Sequence, residues 1–200
     1  MNFIEVYDNA LTSEQCKLII DYMNEGVWSG LLTRGEMFGG IDIKKKDSWD
    51  MTLNMNEDTE VNSILYNSLC KCIGYYKTKN PHLNKLLPWK WHPIYNLQKY
   101  NPGQGYHDLH CENMSPESSY RVAVWMFYLN TVTDGGGTHF DNYDLTMNAV
   151  EGRCVIWPAY WTHFHKGVVS QTETKYIATG WFNYIAVSYT HLTLPTNREV

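Results

Sequence analysis

The sequence lacks any run of about 18–20 apolar residues, the length that a membrane-spanning helix needs. Its first nine residues carry acidic side chains and no basic stretch followed by an apolar one, so we expect no signal peptide and a cytoplasmic location. The five cysteines are an odd number and form neither a C-x-x-C pair nor a zinc-finger spacing. Their arrangement favours free thiols in a reducing compartment over a disulfide framework.

Positive charge is also scarce. Lys and Arg total 16 against 21 Asp and Glu, which gives a formal net charge of −5. A general nucleic-acid-binding protein usually presents a basic face, so we expect neither a nucleic-acid nor a membrane partner. The one basic run, Lys44-Lys45-Lys46, is followed by Asp47. We interpret it as a solvated loop, with phosphate or substrate contact as the alternative.

The composition and the N-terminal part predict one folded domain that begins with two helices. Hydrophobic residues make up 44% of the 200 residues and charged residues 18%. Residues 12–14, Thr-Ser-Glu, precede apolar residues at three- and four-residue spacing, which indicates a helix start, and Glu25-Gly26 indicates a stop. A second helix is predicted from Asp58 to Lys77, before Asn80-Pro81.

After residue 88, short β-rich segments alternate with turn residues. The segments are residues 95–100, 120–129, 149–157, 163–169 and 176–184. Many short strands at this spacing indicate a β-sandwich or jelly roll. We therefore predict an α+β fold, a double-stranded β-helix (jelly roll) with the N-terminal helices packed on its major sheet, spanning residues 1–186.

The C-terminal residues differ in character from the rest. Residues 187–196, VSYTHLTLPT, resemble a translated adapter sequence from DNA library preparation. In that interpretation the native reading frame is lost near Ala186, and the sequence comes from environmental DNA of microbial or viral origin. An ordinary polar extension is the alternative. We set residues 187–200, including His191, apart from the functional domain.

The segment His110-Cys111-Glu112 indicates a metal site. Alternate residues of a strand share a face, so this imidazole and carboxylate can point at one ion. A second histidine would complete a two-histidine, one-carboxylate set with open positions, which non-haem iron(II) oxygenases use. His163 and His165 both qualify, and on a strand they would share a face, so the pattern alone does not choose between them.

Two other ligand sets compete with this one. His139 and Asp141 form an H-x-D pattern, but only 24 residues separate His139 from His163, which is short for the return connection of a jelly roll. His107 and Asp108 could also bind a metal with His110, as in a hydrolytic zinc site, yet no H-E-x-x-H helix accompanies them. We favour the pair at 110 and 112, and interpret His139 as a pocket or loop residue.

Several segments in order along the chain carry a family resemblance. They are residues 4–16, 98–106, 127–130, 135–138, 152–158 and 175–182. Together they resemble the prolyl 4-hydroxylase-like branch of the 2-oxoglutarate and iron(II) oxygenases. The resemblance implies iron(II), 2-oxoglutarate and dioxygen as cofactors, with ascorbate in support. It implies hydroxylation of an unactivated carbon of a peptide or small molecule, with peptidyl proline as one candidate.

The resemblance also implies the roles of individual residues. The family has a basic residue about ten positions after its distal histidine; Lys175 lies ten after His165 and twelve after His163, which favours His165 as the third ligand. The residues that the resemblance assigns to 2-oxoglutarate and to the iron pocket are Tyr100, Tyr128, Lys175 and Trp181. Lys175 and Tyr128 would bind the far carboxylate of 2-oxoglutarate, because a buried carboxylate needs charged and polar partners. Alternatively, Tyr128 and Trp181 are ordinary core aromatic residues, and Lys175 is an exposed lysine on a strand.

The chain departs from the family pattern in two places. The acidic ligand is Glu112 where the family usually has Asp, and four residues instead of three separate Tyr106 from His110. A bulge would absorb the extra residue. The alternative function is a non-catalytic or cupin-like metal-binding module. The sequence does not indicate an oligomeric state.

Overall fold

The computed structural model describes residues 2–28, 30–37 and 39–185. The predicted adapter-like tail, residues 187–200, and the domain limit at Ala186 lie outside the described residues. Within them, no helix is both long and apolar enough to cross a membrane. The five cysteines are free thiols, as the sequence predicted.

Two helices form in the N-terminal part, as predicted. Helix α1 comprises Ser13–Trp28 and helix α2 comprises Glu60–Lys79. The predicted stop at Gly26 is wrong, because this glycine serves a close approach inside α1: a Cβ there would lie 1.9 Å from the terminal methyl of Met51. Helix α2 begins after Thr59, whose hydroxyl accepts the backbone N–H of Asn62 as an N-cap.

The described residues form eleven strands in two antiparallel sheets. The strands are β1 (Glu5–Tyr7), β2 (Thr33–Arg34), β3 (Trp49–Asn54), β4 (Trp89–Trp91), β5 (Ile94–Tyr100), β6 (Arg121–Tyr128), β7 (Thr138–Phe140), β8 (Leu145–Met147), β9 (Cys154–Pro158), β10 (His165–Gly167) and β11 (Lys175–Tyr184). The larger sheet has the order β1-β9-β6-β11-β5-β3-β2, and β4 pairs with the end of β11. The smaller sheet has the order β10-β7-β8.

The five predicted β segments overlap β5, β6, β9, β10 and β11. Two of them are shorter than predicted: residues 149–153 precede β9 in a turn, and residues 161–163 form a 3₁₀ turn before β10. The sheet-rich α+β architecture is confirmed, and two antiparallel sheets with two helices are consistent with a jelly roll.

The larger sheet is covered on both faces, and strand β6 shows how. Trp125 and Phe127 of β6 join a buried cluster with residues of α1 and α2. Val124, Met126 and Tyr128, on the opposite face, join a second cluster that includes Phe140 of β7. A strand buried on both faces needs an almost continuous apolar sequence, which explains the run VAVWMFY in β6. The candidate site lies beside the second cluster.

Candidate metal centre

Three side chains of different segments meet beside the second cluster. Ligand atoms of His110, Glu112 and His165 all lie within 4.8 Å of one another, the one such group that the structure shows among the residues it describes. The Oε1 atom of Glu112 is 3.5 Å from Nε2 of each histidine. The structure therefore brings together the same three residues that the motif and the resemblance predicted.

The segment that carries His110 and Glu112 is not the regular strand that we predicted. His110 makes only an isolated bridge to His165, in which each backbone N–H donates to the other's carbonyl at 3.0 and 2.8 Å. Two residues on, the N–H of Glu112 donates to the carbonyl of Ala159 at 3.0 Å. These distant backbone partners, instead of strand alternation, aim both side chains at the third ligand.

Both histidines are held with Nε2 toward the centre. Nδ1 of His110 lies 2.9 Å from the carbonyl oxygen of Asp108, and Nδ1 of His165 lies 2.9 Å from the carbonyl oxygen of His163. A carbonyl only accepts, so each Nδ1 carries the hydrogen and each neutral ring keeps its lone pair on Nε2. Two such lone pairs and the Glu112 carboxylate form a donor set that fits iron(II).

The cluster shifts the pKa of Glu112 and that of His165. Burial by itself would raise the pKa of Glu112, but the interactions with His110 and His165 outweigh it and hold that pKa well below its ordinary value. Burial lowers the pKa of His165, and the neighbouring His110 lowers it further. Metal ligands must be deprotonated, so both shifts favour the form that binds a metal.

The second oxygen of Glu112 has its own partners. Trp181 Nε1 donates to Glu112 Oε2 at 2.8 Å, and Arg121 Nη1 donates to the same oxygen at 3.2 Å. The guanidinium of Arg121 also stacks on the Trp181 ring, 3.9 Å from its centroid. The structure thus places the predicted pocket wall, Trp181, directly against the carboxylate. Sequence reasoning missed Arg121, although a single cation at the start of an apolar strand is an available indication.

His163 is not part of the cluster. It ends a 3₁₀ turn instead of lying on a strand, which corrects our prediction that both histidines share a strand face. Its Nε2 lies 2.7 Å from the carbonyl oxygen of Asn2 and its Nδ1 lies 2.8 Å from the Thr162 hydroxyl. Both ring nitrogens therefore already have hydrogen-bond partners.

The competing ligand sets do not assemble among the described residues. His139 lies in β7, half-buried, which corrects the loop interpretation, and its Nδ1 is 2.9 Å from the Thr146 hydroxyl. His107 is exposed, and the backbone N–H groups of His107 and Asp108 both donate to the carbonyl of Lys45. Neither pair therefore belongs to the group of convergent ligands.

The residues assigned to 2-oxoglutarate lie on the same side of the sheet as the second cluster. Lys175 of β11 pairs with Tyr100 of β5, and its Nζ lies 4.5 Å from the centroid of the Tyr100 ring. Burial alone lowers the pKa of Lys175 from 10.5 to about 8. The hydroxyl of the fully buried Tyr128 lies 2.8 Å from that of Thr138. Within the part of the chain that the structure describes, Lys175 is therefore a buried cation without a compensating charge nearby, which corrects the alternative of an exposed strand lysine.

The basic run at residues 44–46 divides between surface and core. Lys44 and Lys45 are exposed, as predicted, but Lys46 is only 4% exposed, so the solvated-loop interpretation is wrong for it. Its Nζ lies 2.6 Å from Oδ2 of the buried Asp50. The Gln98 amide donates to the same oxygen at 3.2 Å. Lys46 is thus a structural ion-pair partner of Asp50.

We expect Lys46→Ala to destabilise the fold strongly, because it leaves the Asp50 carboxylate buried without its cation. Removing one partner of a buried pair costs about 3–5 kcal/mol. Urea denaturation measures the free energy of unfolding of Lys46→Ala and of a control, Lys45→Ala. Because Lys45 is exposed, its replacement should change that free energy by no more than about 0.5 kcal/mol. Equal effects of the two substitutions would contradict the buried pair.

Residues 95–183 match the family model of the 2OG-Fe(II) oxygenase superfamily. This segment carries the pattern of a 2OG-Fe(II) oxygenase domain. Together with the convergent His110, Glu112 and His165, the match supports a dioxygenase, and the cofactors of the matched family are iron(II), 2-oxoglutarate and dioxygen, as the resemblance implied. A comparison with curated proteins finds no match.

Solved structures of similar fold include prolyl hydroxylases. The viral collagen prolyl hydroxylase of Paramecium bursaria Chlorella virus-1, solved as a 2-oxoglutarate complex, has a TM-score of 0.69 and 18% identity, covering 92% of this chain and 97% of that one. A Pseudomonas putida prolyl-4-hydroxylase has a TM-score of 0.69 and 14% identity, covering 93% and 95%. A Trichoplax adhaerens prolyl hydroxylase, in complex with a hypoxia inducible factor peptide fragment, has a TM-score of 0.71 and 15% identity, covering 92% and 84%. At these identities the likeness concerns the fold.

Proposed function

We propose that this oxygenase hydroxylates an unactivated carbon of a peptide substrate, with a prolyl residue as the first candidate. The observation that carries the proposal is the convergence of His110, Glu112 and His165 with both Nε2 atoms facing the carboxylate. We further propose that residues 1–186 form the catalytic domain, a double-stranded β-helix whose larger sheet carries α1 and α2.

In this proposal His110, Glu112 and His165 hold the iron. Bound iron(II) and 2-oxoglutarate supply the oxygen-activating chemistry, with succinate and carbon dioxide as coproducts. Lys175 binds the far carboxylate of 2-oxoglutarate by charge and Tyr128 by a hydroxyl donor. Tyr100 lines the same pocket, since its ring lies beside the Lys175 ammonium.

Exposed apolar side chains next to the ligands favour a peptide over a free amino acid. Leu109 and Met114 flank the Glu112 segment and are 39% and 63% exposed. Trp161 is 71% exposed and lies two residues after Ala159, which bonds to the Glu112 backbone. Aromatic and apolar groups exposed beside a site are typical of surfaces that bind another chain.

Succinate formation with candidate peptides tests the proposal. The purified protein, with iron(II), ascorbate and 2-oxoglutarate, should convert prolyl peptides with a mass gain of about 16 Da, the mass of one oxygen atom, and an equal yield of succinate. Matched peptides with alanine in place of proline separate prolyl specificity from general peptide oxidation. No succinate with any substrate and no iron binding would favour the non-catalytic module instead.

We expect the affinity for 2-oxoglutarate to fall as pH rises above about 8. Burial lowers the pKa of Lys175 from 10.5 to about 8, so the free protein loses the ammonium above that pH, while a bound carboxylate needs it. The dissociation constant should rise about tenfold per pH unit there, until the pKa of the complex is reached. Titration calorimetry from pH 6.5 to about 9.5 measures the slope, and Lys175→Met should remove it. A flat profile for the unaltered protein would contradict the role of Lys175.

A further inference from the structure

We infer that Arg121 is a positioning residue which, together with Trp181, restricts Glu112 to binding the metal through one oxygen. The inference rests on the proposed metal centre and deepens it. It explains how the longer glutamate occupies a position where the resembled family usually has aspartate. The inference is drawn from the contacts of the two carboxylate oxygens of Glu112 and of its backbone carbonyl.

The two oxygens of Glu112 have different surroundings. Oε1 faces the centre, 3.5 Å from Nε2 of His110 and from Nε2 of His165. Oε2 faces away and accepts from Trp181 Nε1 at 2.8 Å and from Arg121 Nη1 at 3.2 Å. An oxygen that already accepts two donors, one of them charged, is a poorer metal ligand than its free partner. A metal in the cluster would therefore be held by Oε1, the oxygen that faces both histidines.

Arg121 also fixes the conformation of the glutamate chain. The same Nη1 atom that contacts Oε2 donates to the backbone carbonyl of Glu112 at 3.0 Å. One nitrogen that binds both ends of one residue folds its side chain back toward its own backbone. Glutamate has one more rotatable bond than aspartate, so more rotamers must be excluded before its carboxylate is in place. The contacts of the Arg121 guanidinium exclude the other rotamers of Glu112.

The sheet holds Arg121 and Trp181 in the required positions. Arg121 is the first residue of β6 and pairs with Asn183 of β11, across a register shift that follows Phe182. Such a bulge re-aims the side chains beside it. The Arg121 guanidinium lies over the Trp181 ring, 3.9 Å from the centroid, so each side chain supports the other against the carboxylate.

The test measures Co(II) and Fe(II) binding by calorimetry, and the visible spectrum of bound Co(II), which reports coordination geometry. We expect Arg121→Met to lower metal affinity by about 10- to 100-fold, the range seen when an outer-shell partner of a metal ligand is lost. It should also change the Co(II) spectrum. Arg121→Lys should restore only part of the affinity. An ammonium cannot stack on Trp181 while it also reaches Oε2 and the backbone carbonyl oxygen of Glu112.

The chain offers a matched control. Arg34 lies over the ring of Trp49, 4.9 Å from its centroid, and forms an ion pair with Asp47, at the other end of the sheet. Arg34→Met therefore removes the same kind of stacked, paired guanidinium without touching the centre. Its metal affinity and Co(II) spectrum should equal those of the unaltered protein, and thermal unfolding of both variants separates loss of folding from loss of binding.

A double-mutant cycle with Glu112→Asp makes the inference sharper. The shorter aspartate side chain cannot keep one carboxylate oxygen on Arg121 while the other reaches the metal, so adding Arg121→Met to Glu112→Asp should cost little further affinity. Losses that multiply, or an Arg121→Met variant with unchanged affinity and spectrum, would overturn the positioning role. Absence of metal binding by the unaltered protein would instead overturn the proposed centre itself.

Discussion

Replacing His165 with alanine should abolish metal binding and with it succinate formation, whereas His163→Ala should leave both in place. His165 contributes one of three convergent ligand atoms, with Nε2 3.5 Å from Glu112 Oε1. His163, only two residues away, has both ring nitrogens engaged with Asn2 and Thr162. We expect the loss of affinity to exceed the roughly 10- to 100-fold effect of losing an outer-shell partner, because a ligand itself is removed.

Fe(II) and Co(II) titrations of the two variants decide between the histidines. His163 is buried, so His163→Ala is expected to lower thermal stability, and the titrations should be made well below its unfolding temperature. The phenyl ring of Phe140 packs 5.6 Å from the His165 ring, so His165→Gln, which keeps more of the side-chain volume, guards against an indirect effect of repacking. Metal binding that survives His165→Ala and is lost in His163→Ala would reverse the assignment.

The identity of the ligands is readable from the sequence, but the way they converge is not. His110 and Glu112 were predicted from strand alternation, yet the segment forms no strand. Its backbone groups bond to His165 and Ala159, which lie some fifty residues further along the chain. The residue types were diagnostic because iron(II) prefers that donor set. Local periodicity carried no information about partners so distant.

Two cations, the buried Lys46 and the partly buried Arg121, show the same limit for electrostatics. Lys46 stands in a run of three lysines, and nothing in its neighbours distinguishes it from Lys45, but it alone pairs with Asp50 inside the protein. Arg121 contacts Glu112 at the start of β6, where the pairing with β11 shifts register beside Trp181. Burial of a charge depends on where its partner lies in space, which a single sequence does not contain.

The elements were predictable where their causes are local. Helix α2 follows from its Thr59 cap and its apolar face, and β6 from an apolar run that is buried on both sides. The short strands β7 and β8 were not predicted, since three residues are too few to show a period. They depend on pairing across the smaller sheet, which also positions Phe140 against His165.

Replacing Lys175 with methionine should have two effects of opposite sign. In the protein without 2-oxoglutarate, the ammonium is buried and burial lowers its pKa from 10.5 to about 8, so it destabilises the fold wherever it stays charged. At pH 7 this cost is about 3 kcal/mol, because each tenfold change in a protonation constant corresponds to about 1.4 kcal/mol. Methionine keeps most of the volume without the charge, so the free variant should unfold at a temperature several degrees higher.

The affinity for 2-oxoglutarate should change in the other direction. Removing one partner of a buried charge pair costs about 2–5 kcal/mol, which corresponds to roughly a 30- to 5,000-fold weaker complex. Metal affinity should stay nearly unchanged, because Lys175 contacts Tyr100 and lies outside the ligand group. Thermal unfolding with and without 2-oxoglutarate, in the presence of Co(II), measures both effects in one experiment.

Lys99→Met is the matched control for this prediction. Lys99 lies next to Tyr100 in β5, pairs with Tyr176 and is only partly buried, with its Nζ 5.5 Å from the Tyr176 ring centroid. Its ammonium reaches water, so its removal should change neither the stability of the free protein nor the response to 2-oxoglutarate by more than a small amount. A Lys175→Met variant that behaved like Lys99→Met would mean that the buried ammonium does not bind the cosubstrate. The two opposite shifts, seen only at Lys175, distinguish a cation kept buried for a ligand from one that merely packs in the core.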